Sequence, residues 1–216
     1  MSKNMQMVID GDSVVFKQSN GFEFRLNLSD FPDLVRAHLA EVKPTANTKS
    51  TQACESLGAE VLGKDFKWEF LKPFIRDVCR WGGFALIYAK VLDEKRKPEE
   101  RIPPRFLAAH NFMNESNQRI DLAIKEVVDI PGLGISFGSK HLRFLYPEFC
   151  PVLDVNTVKL GYEQTPQGYQ KFAQDCRLIA NTLTERGTPN PFPERPKKWF
   201  VSDIDMALFA RLSGWK

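Results

Sequence analysis

Apolar positions in residues 1–28 recur with the two-residue period of half-buried strands. Met7-Val8-Ile9 and Val14-Val15-Phe16 flank the turn Asp10-Gly11-Asp12, and Phe22, Phe24 and Leu26 alternate with polar neighbours after Asn20-Gly21. A short β meander is predicted. The period then lengthens. Ser29-Asp30 opens a helix to about Val42, with Leu34, Val35, His38 and Leu39 as its stripe. Residues 43–52 are polar and contain proline, and predict a mobile surface loop. Phe66, Phe70, Leu71, Phe74, Ile75 and Val78 predict a core helix despite Pro73, broken at Gly82-Gly83. Residues 91–104 form a charged, proline-ended run that predicts a solvated linker. Helix resumes over 106–111.

In the second half, Ile120, Ala123, Ile124, Val127 and Val128 lie at helical spacing, with Ser116 or Asn117 as cap and Pro131 as stop. On the following helix Gly138, Leu142 and Leu145 share one side; Ser136, Lys140 and Arg143 share the other, which is expected to point away from the core. Pro147 and Pro151 bracket a crossing, after which Asp154 starts another helix through Val158 and Leu160. Residues 166–185 carry Tyr169, Phe172, Cys176, Ile179 and Leu183 at helical spacing, with Asp175 off that stripe. Residues 186–198 form a proline-rich basic loop, and the chain ends in a helix with Ser202 as the expected cap.

Composition narrows the function only a little. The 216 residues, 43% hydrophobic, suffice for one globular unit with a sizeable core. A net charge of +3 is compatible with nucleic acid without requiring it. His38, His110 and His141 lack metal-ligand spacing, so no catalytic metal is expected. Cys54, Cys79, Cys150 and Cys176 contain no CxxC pair, which argues against zinc and against an iron–sulfur cluster. Free thiols suit a reducing cytoplasm. No apolar run is long enough to span a membrane. A cytoplasmic monomer is expected.

The chemistry concentrates in residues 130–157. Gly132 and Gly134 permit positive φ and a close approach of backbone to a ligand. The helix that follows offers its unpaired N–H groups to an anion such as a DNA phosphate. Asp154 then stands at the head of a further helix, where Asp is also an ordinary N-cap. Asn156, Thr157 and Lys159 lie close behind it, within reach of a DNA backbone.

This stretch resembles the helix-hairpin-helix DNA glycosylase superfamily. The family pattern of an apolar residue, Pro-Gly-x-Gly, a helix with a small residue, and an Asp some twenty residues on corresponds to Ile130-Pro131-Gly132-Leu133-Gly134, Gly138 and Leu153-Asp154-Val155-Asn156. Ser139-Lys140-His141-Leu142-Arg143-Phe144-Leu145-Tyr146-Pro147 is most similar to the bacterial and archaeal 8-oxoguanine-glycosylase-like branch. The likeness covers residues 105–165.

The resemblance implies a mainly α fold with a small N-terminal β element, in a two-lobed helical arrangement. The whole of 1–216 would be one glycosylase unit: 1–28 the β element, 29–104 a helical lobe, 105–165 the hairpin and catalytic Asp, 166–216 the C-terminal helices. It implies an enzyme that flips a modified base out of double-stranded DNA and cleaves its N-glycosidic bond. Asp154 would be catalytic. Gly132, Gly134, Ser136, Arg143, Asn156, Thr157 and Lys159 would contact DNA. Trp81, Phe84, Phe137 and Asp175 would form the base pocket. No cofactor is implied, with a monovalent cation at the hairpin carbonyls left open. The sequence departs from the family at Ser136, where bifunctional members carry a catalytic lysine; Lys140, one turn later, is the candidate replacement. The default substrate of the branch is 8-oxoguanine. The departure at Ser136 tilts the expectation toward a bulky phage base, glucosylated hydroxymethylcytosine. A binding module that grips phosphates without catalysis is the alternative.

Overall fold

The computed structural model describes residues 5–46, 48–83 and 85–215. The protein is mainly helical with a small three-stranded N-terminal sheet. It divides into two compact units, one formed by Met1–Glu41 with Glu148–Lys216 and the other by Val42–Pro147. The divisions thus fall after Glu41 and after Pro147.

In the first unit, β1 (Met5–Asp10), β2 (Ser13–Gln18) and β3 (Glu23–Asn27) form an antiparallel meander in the order β1-β2-β3. Phe16 faces Met7 on one side and Phe24 on the other. Val14, Val15 and Phe16 of the central strand are all buried. α1 (Phe31–Glu41) packs on α9 (Val201–Leu212), with the Phe31 ring edge-on to Trp199. α8 (Pro166–Glu185) begins with Pro166 in its first turn, and the Thr165 hydroxyl accepts from the Gly168 N–H at 3.0 Å. Its stripe of Tyr169, Phe172, Cys176, Ile179 and Leu183 is wholly buried, as its spacing predicts. The N-cap of α9 is Phe200, not Ser202. The Asp203 carboxylate accepts from the Phe200 N–H at 3.0 Å and from Arg195 at 2.7 Å. Arg195, with its guanidinium 4.0 Å from the Phe192 ring and 4.4 Å from Phe200, is therefore consumed inside the loop of residues 186–198.

The second unit holds α2 (Thr51–Gly63), α3 (Trp68–Trp81), α4 (Ala85–Val91), α5 (Pro98–Asn114), α6 (Ile120–Val128) and α7 (Ile135–Leu145). α2 begins inside the expected loop, capped by the Ser50 hydroxyl on the Ala53 N–H at 3.1 Å. The expected linker of 91–104 also gives way: α5 starts at Pro98 and runs through Pro103 and Pro104. Pro98 suits the opening of a helix, where backbone N–H groups lack partners in any case, whereas Pro103 and Pro104 lie beyond the first turn and each removes a backbone donor. α6 is capped at Arg119 instead of Ser116 or Asn117.

α7 is the central element. It packs on α2, α3 and α6. Two glycines allow this. A Cβ at Gly58 of α2 would stand 2.0 Å from the Phe144 carbonyl oxygen, and one at Gly138 would meet Ile124 and Val128 of α6 at 3.1 Å each. Phe137 through Leu145 are consequently all buried, and the expected outward basic face does not exist.

Candidate functional site

The hairpin joins α6 to α7. Leu133 is buried and its N–H donates to the Ile130 carbonyl at 3.0 Å, closing the turn. Gly132 has φ +101°, and a Cβ there would be 3.1 Å from Val91. Gly134 is extended, with φ −90° and ψ 179°, and serves as the N-cap of α7 without a capping side chain. Only Gly132 needs positive φ. Both glycines are exposed, and the first N–H groups of α7 have no intrahelical partners.

Lys140 lies one turn into α7 and is only 6% exposed. Its Nζ lies 3.2 Å from Ser136 Oγ and 3.3 Å from the Ser136 carbonyl oxygen, donating back along the helix. It also stands 5.0 Å from the centre of the Phe137 ring. Gly82 clears the space for the stem: a Cβ there would meet Phe137 at 2.9 Å and the Lys140 Cδ at 3.0 Å. The amine is thus carried to the position that Ser136 occupies, inside a desolvated setting. Gly82-Gly83 was visible in the sequence as a helix break, but the close approach to Lys140 was not.

Arg143, expected at DNA, is 0% exposed and ion-paired with Glu55 of α2 at 2.9 Å. It holds α7 to α2 and presents nothing to a phosphate. His141, also fully enclosed, places Nδ1 2.7 Å from the Phe137 carbonyl; burial lowers its pKa from 6.5 to about 4, so the ring is neutral at physiological pH. Burial pushes the Cys54 and Cys79 thiols up to about 12, so neither is a nucleophile near neutrality.

Asp154 belongs to the first unit. Its Oδ1 accepts from the Asn156 N–H at 2.9 Å and the Thr157 N–H at 3.2 Å. The Asp154 N–H donates to Thr157 Oγ1 at 2.9 Å, a reciprocal cap. Oδ2 has no hydrogen-bond partner among the described residues, and the residue is half-buried. What Asp154 opens is not the expected helix but a 3-10 turn, Thr157–Leu160, ended by Gly161 at φ +109°. The sheet braces this turn: Gln18 Nε2 donates to the Lys159 carbonyl at 2.8 Å, and a Cβ at Gly161 would stand 2.9 Å from Gln18.

The remaining candidates divide. Thr157 is fully buried and fixes Asp154 instead of reaching outward. The spacing Asp154-x-x-Thr157 is the sequence signal for that role. Lys159 is exposed, with Nζ 2.8 Å from Asn156 Oδ1, so these two form an outward pair. Trp81 is half-buried; it donates its indole N–H to Thr51 Oγ1 at 3.3 Å and packs edge-on to Phe144 at 4.8 Å. Asp175 is buried; its carboxylate accepts from Tyr162 OH at 2.7 Å and from Lys171 Nζ at 2.6 Å, leaving it no role at a base edge. Phe84 lies outside the described residues. No three potential metal ligands cluster among the described residues. No described helix is long and apolar enough to cross a membrane.

The chain matches no protein-family model, no curated protein and no solved structure.

Proposed function

We propose that the protein is a DNA glycosylase that excises a modified base. The observation that carries this reading is the half-committed carboxylate of Asp154: one oxygen is held by two backbone N–H groups and the other is left without a partner. An Asp cap occupies one oxygen alone, so the second is free to act on a ligand. The hairpin supports it, since exposed Gly132 and Gly134 and the open first turn of α7 suit a phosphodiester.

The chemistry follows from an N-glycosidic bond. The base leaves C1′ with the bonding electrons, and the sugar passes through an oxocarbenium-like state. The carboxylate stabilises that charge and takes the proton of a water that attacks C1′. The base must first leave the stack, at a cost of a few kcal/mol. The proposed substrate is a hypermodified phage base, glucosylated hydroxymethylcytosine, excised in antiviral defence. Lys140 favours a second reading, repair of 8-oxoguanine with strand cleavage. An amine that reaches C1′ can displace the base, and opening of the sugar ring in the resulting aminal gives an imine.

Purified protein is mixed with a glucosylated phage DNA and with an 8-oxoguanine duplex, and abasic sites are revealed by alkali. Asp154→Asn keeps a side-chain oxygen for the cap but not the charge. It is expected to lose base release by at least about 100-fold while retaining DNA binding. Full turnover by Asp154→Asn sinks the catalytic assignment. DNA binding with no release from either substrate favours the binding module. Borohydride decides the role of Lys140: a covalent protein–DNA adduct that disappears in Lys140→Gln identifies the nucleophile, whereas no adduct with the wild type leaves the hydrolytic route.

A further inference from the structure

α9 ends in a turn that carries Trp215 back along the helix. Gly214 has φ +75°, its N–H donates to the Arg211 carbonyl at 3.2 Å, and the Trp215 N–H donates to the Ala210 carbonyl at 3.0 Å. This pair of bonds around a left-handed glycine is the Schellman arrangement, which an apolar contact ordinarily accompanies. That contact is present: the Trp215 ring lies 5.3 Å from Phe209, and His38 of α1 lies 5.8 Å from each of the two rings. The indole is therefore held in place by the fold itself.

Beside the indole is a cavity of about 190 Å³, lined by Leu26, Asp30, Asp33, Leu34, Arg211 and Trp215. All six residues belong to the first unit. Leu26 and Leu34 are buried and supply apolar wall, whereas Asp33 and Arg211 are exposed and Asp30 is half-buried. Opposite charges thus share a small space without meeting. Arg211 makes no ion pair with either carboxylate among the described residues. Asp33 is paired with Arg36, and Asp30 accepts only from the neighbouring Ser29 hydroxyl, at 3.4 Å. A guanidinium and a carboxylate are therefore both available to a ligand, and each binds best a group of the opposite charge.

Size and charge together restrict that ligand. The space is smaller than the roughly 300–1,000 Å³ of pockets that enclose drug-sized molecules, which excludes a nucleotide. A molecule that satisfies both walls carries a cation and an anion a short distance apart, with an apolar body to set against leucine and indole.

We propose that this cavity is a binding site for a free α-amino acid with an apolar side chain. The ammonium donates to Asp30, the carboxylate accepts from Arg211, and the side chain rests on Leu26, Leu34 and Trp215. The site stands apart from the glycosylase reading and does not depend on it.

The test titrates the full chain with L-valine, L-leucine, L-methionine and L-phenylalanine, read by calorimetry and by tryptophan fluorescence. At least one is expected to bind with a dissociation constant on the order of 1 mM or tighter. Its N-acetyl derivative lacks the ammonium and its amide lacks the carboxylate, and each is expected to bind at least about 10-fold more weakly. Asp30→Asn and Arg211→Gln should weaken the parent amino acid by a similar factor. Trp215→Phe should keep the heat of binding and lose the fluorescence change. No binding by any of the four overturns the proposal. A smaller loss in either charge variant or for either blocked derivative also overturns it, as does a fluorescence change that persists in Trp215→Phe, since the amino acid then binds elsewhere.

Discussion

His141 shows at the level of one residue how function-like chemistry can be diverted into stability. It sits edge-on to Phe74 with its ring wholly enclosed, and burial lowers its pKa from 6.5 to about 4. The unfolded chain binds a proton as pH falls below 6.5, whereas the folded chain resists until about 4. Stability contributed by the neutral ring is therefore complete above pH 6.5 and is lost progressively down to pH 4, by about 3 kcal/mol. Urea titrations at a series of pH values measure this, and His141→Phe should flatten the profile over that window. An unchanged slope would mean that other groups govern acid unfolding. The same scale shows what the sequence could and could not disclose about the site. The Pro131-Gly132-x-Gly134 turn and Asp154 were legible because turn and cap residues act through their own backbone. Lys140 was legible as a residue but not as a buried amine over Phe137, because its setting depends on Gly82, 58 residues earlier in the chain. Arg143 misled for the same reason: nothing near it in sequence announces Glu55.

At the level of the element, α7 explains most of the departures. Its wheel shows two faces, and a two-faced helix is ordinarily packed on one side only. α2 supplies the second cover, and α2 was obscured because TQACESLGAEVLG intersperses its apolar residues with polar ones. Those polar residues include Glu55, which the buried Arg143 requires. Gly58 is the point of closest approach, so Gly58→Ala is expected to force α2 away from α7 and destabilise the protein by roughly 1–3 kcal/mol. Chemical denaturation reads the loss. A variant as stable as the wild type would show that the two helices have room to separate. Elements with strong local periodicity, such as the meander and α8, were predictable; α5 was not, because three prolines mask a helix whose other residues pack well.

At the level of the whole molecule, the weak positive charge of +3 says less than where cations are spent. Arg143 and Arg195 serve the interior, and Lys171 and Arg186 are tied to Asp175 and Asp12. The hairpin and Lys140 lie in the contiguous unit, and Asp154 with Asn156 and Lys159 in the other. The division has a consequence for biosynthesis. Met1–Glu41 leaves the ribosome before Val42–Pro147, yet the unit it belongs to is completed only by Glu148–Lys216. In particular, α1 meets α9 only after Val201–Leu212 has been made. Val42–Pro147 is contiguous and can close as soon as it clears the exit tunnel, while the N-terminal sheet waits with two open edges. Translation therefore completes the hairpin-bearing core before the one that holds the carboxylate, and a chain stalled before residue 201 carries a finished hairpin and an unfinished Asp154 turn.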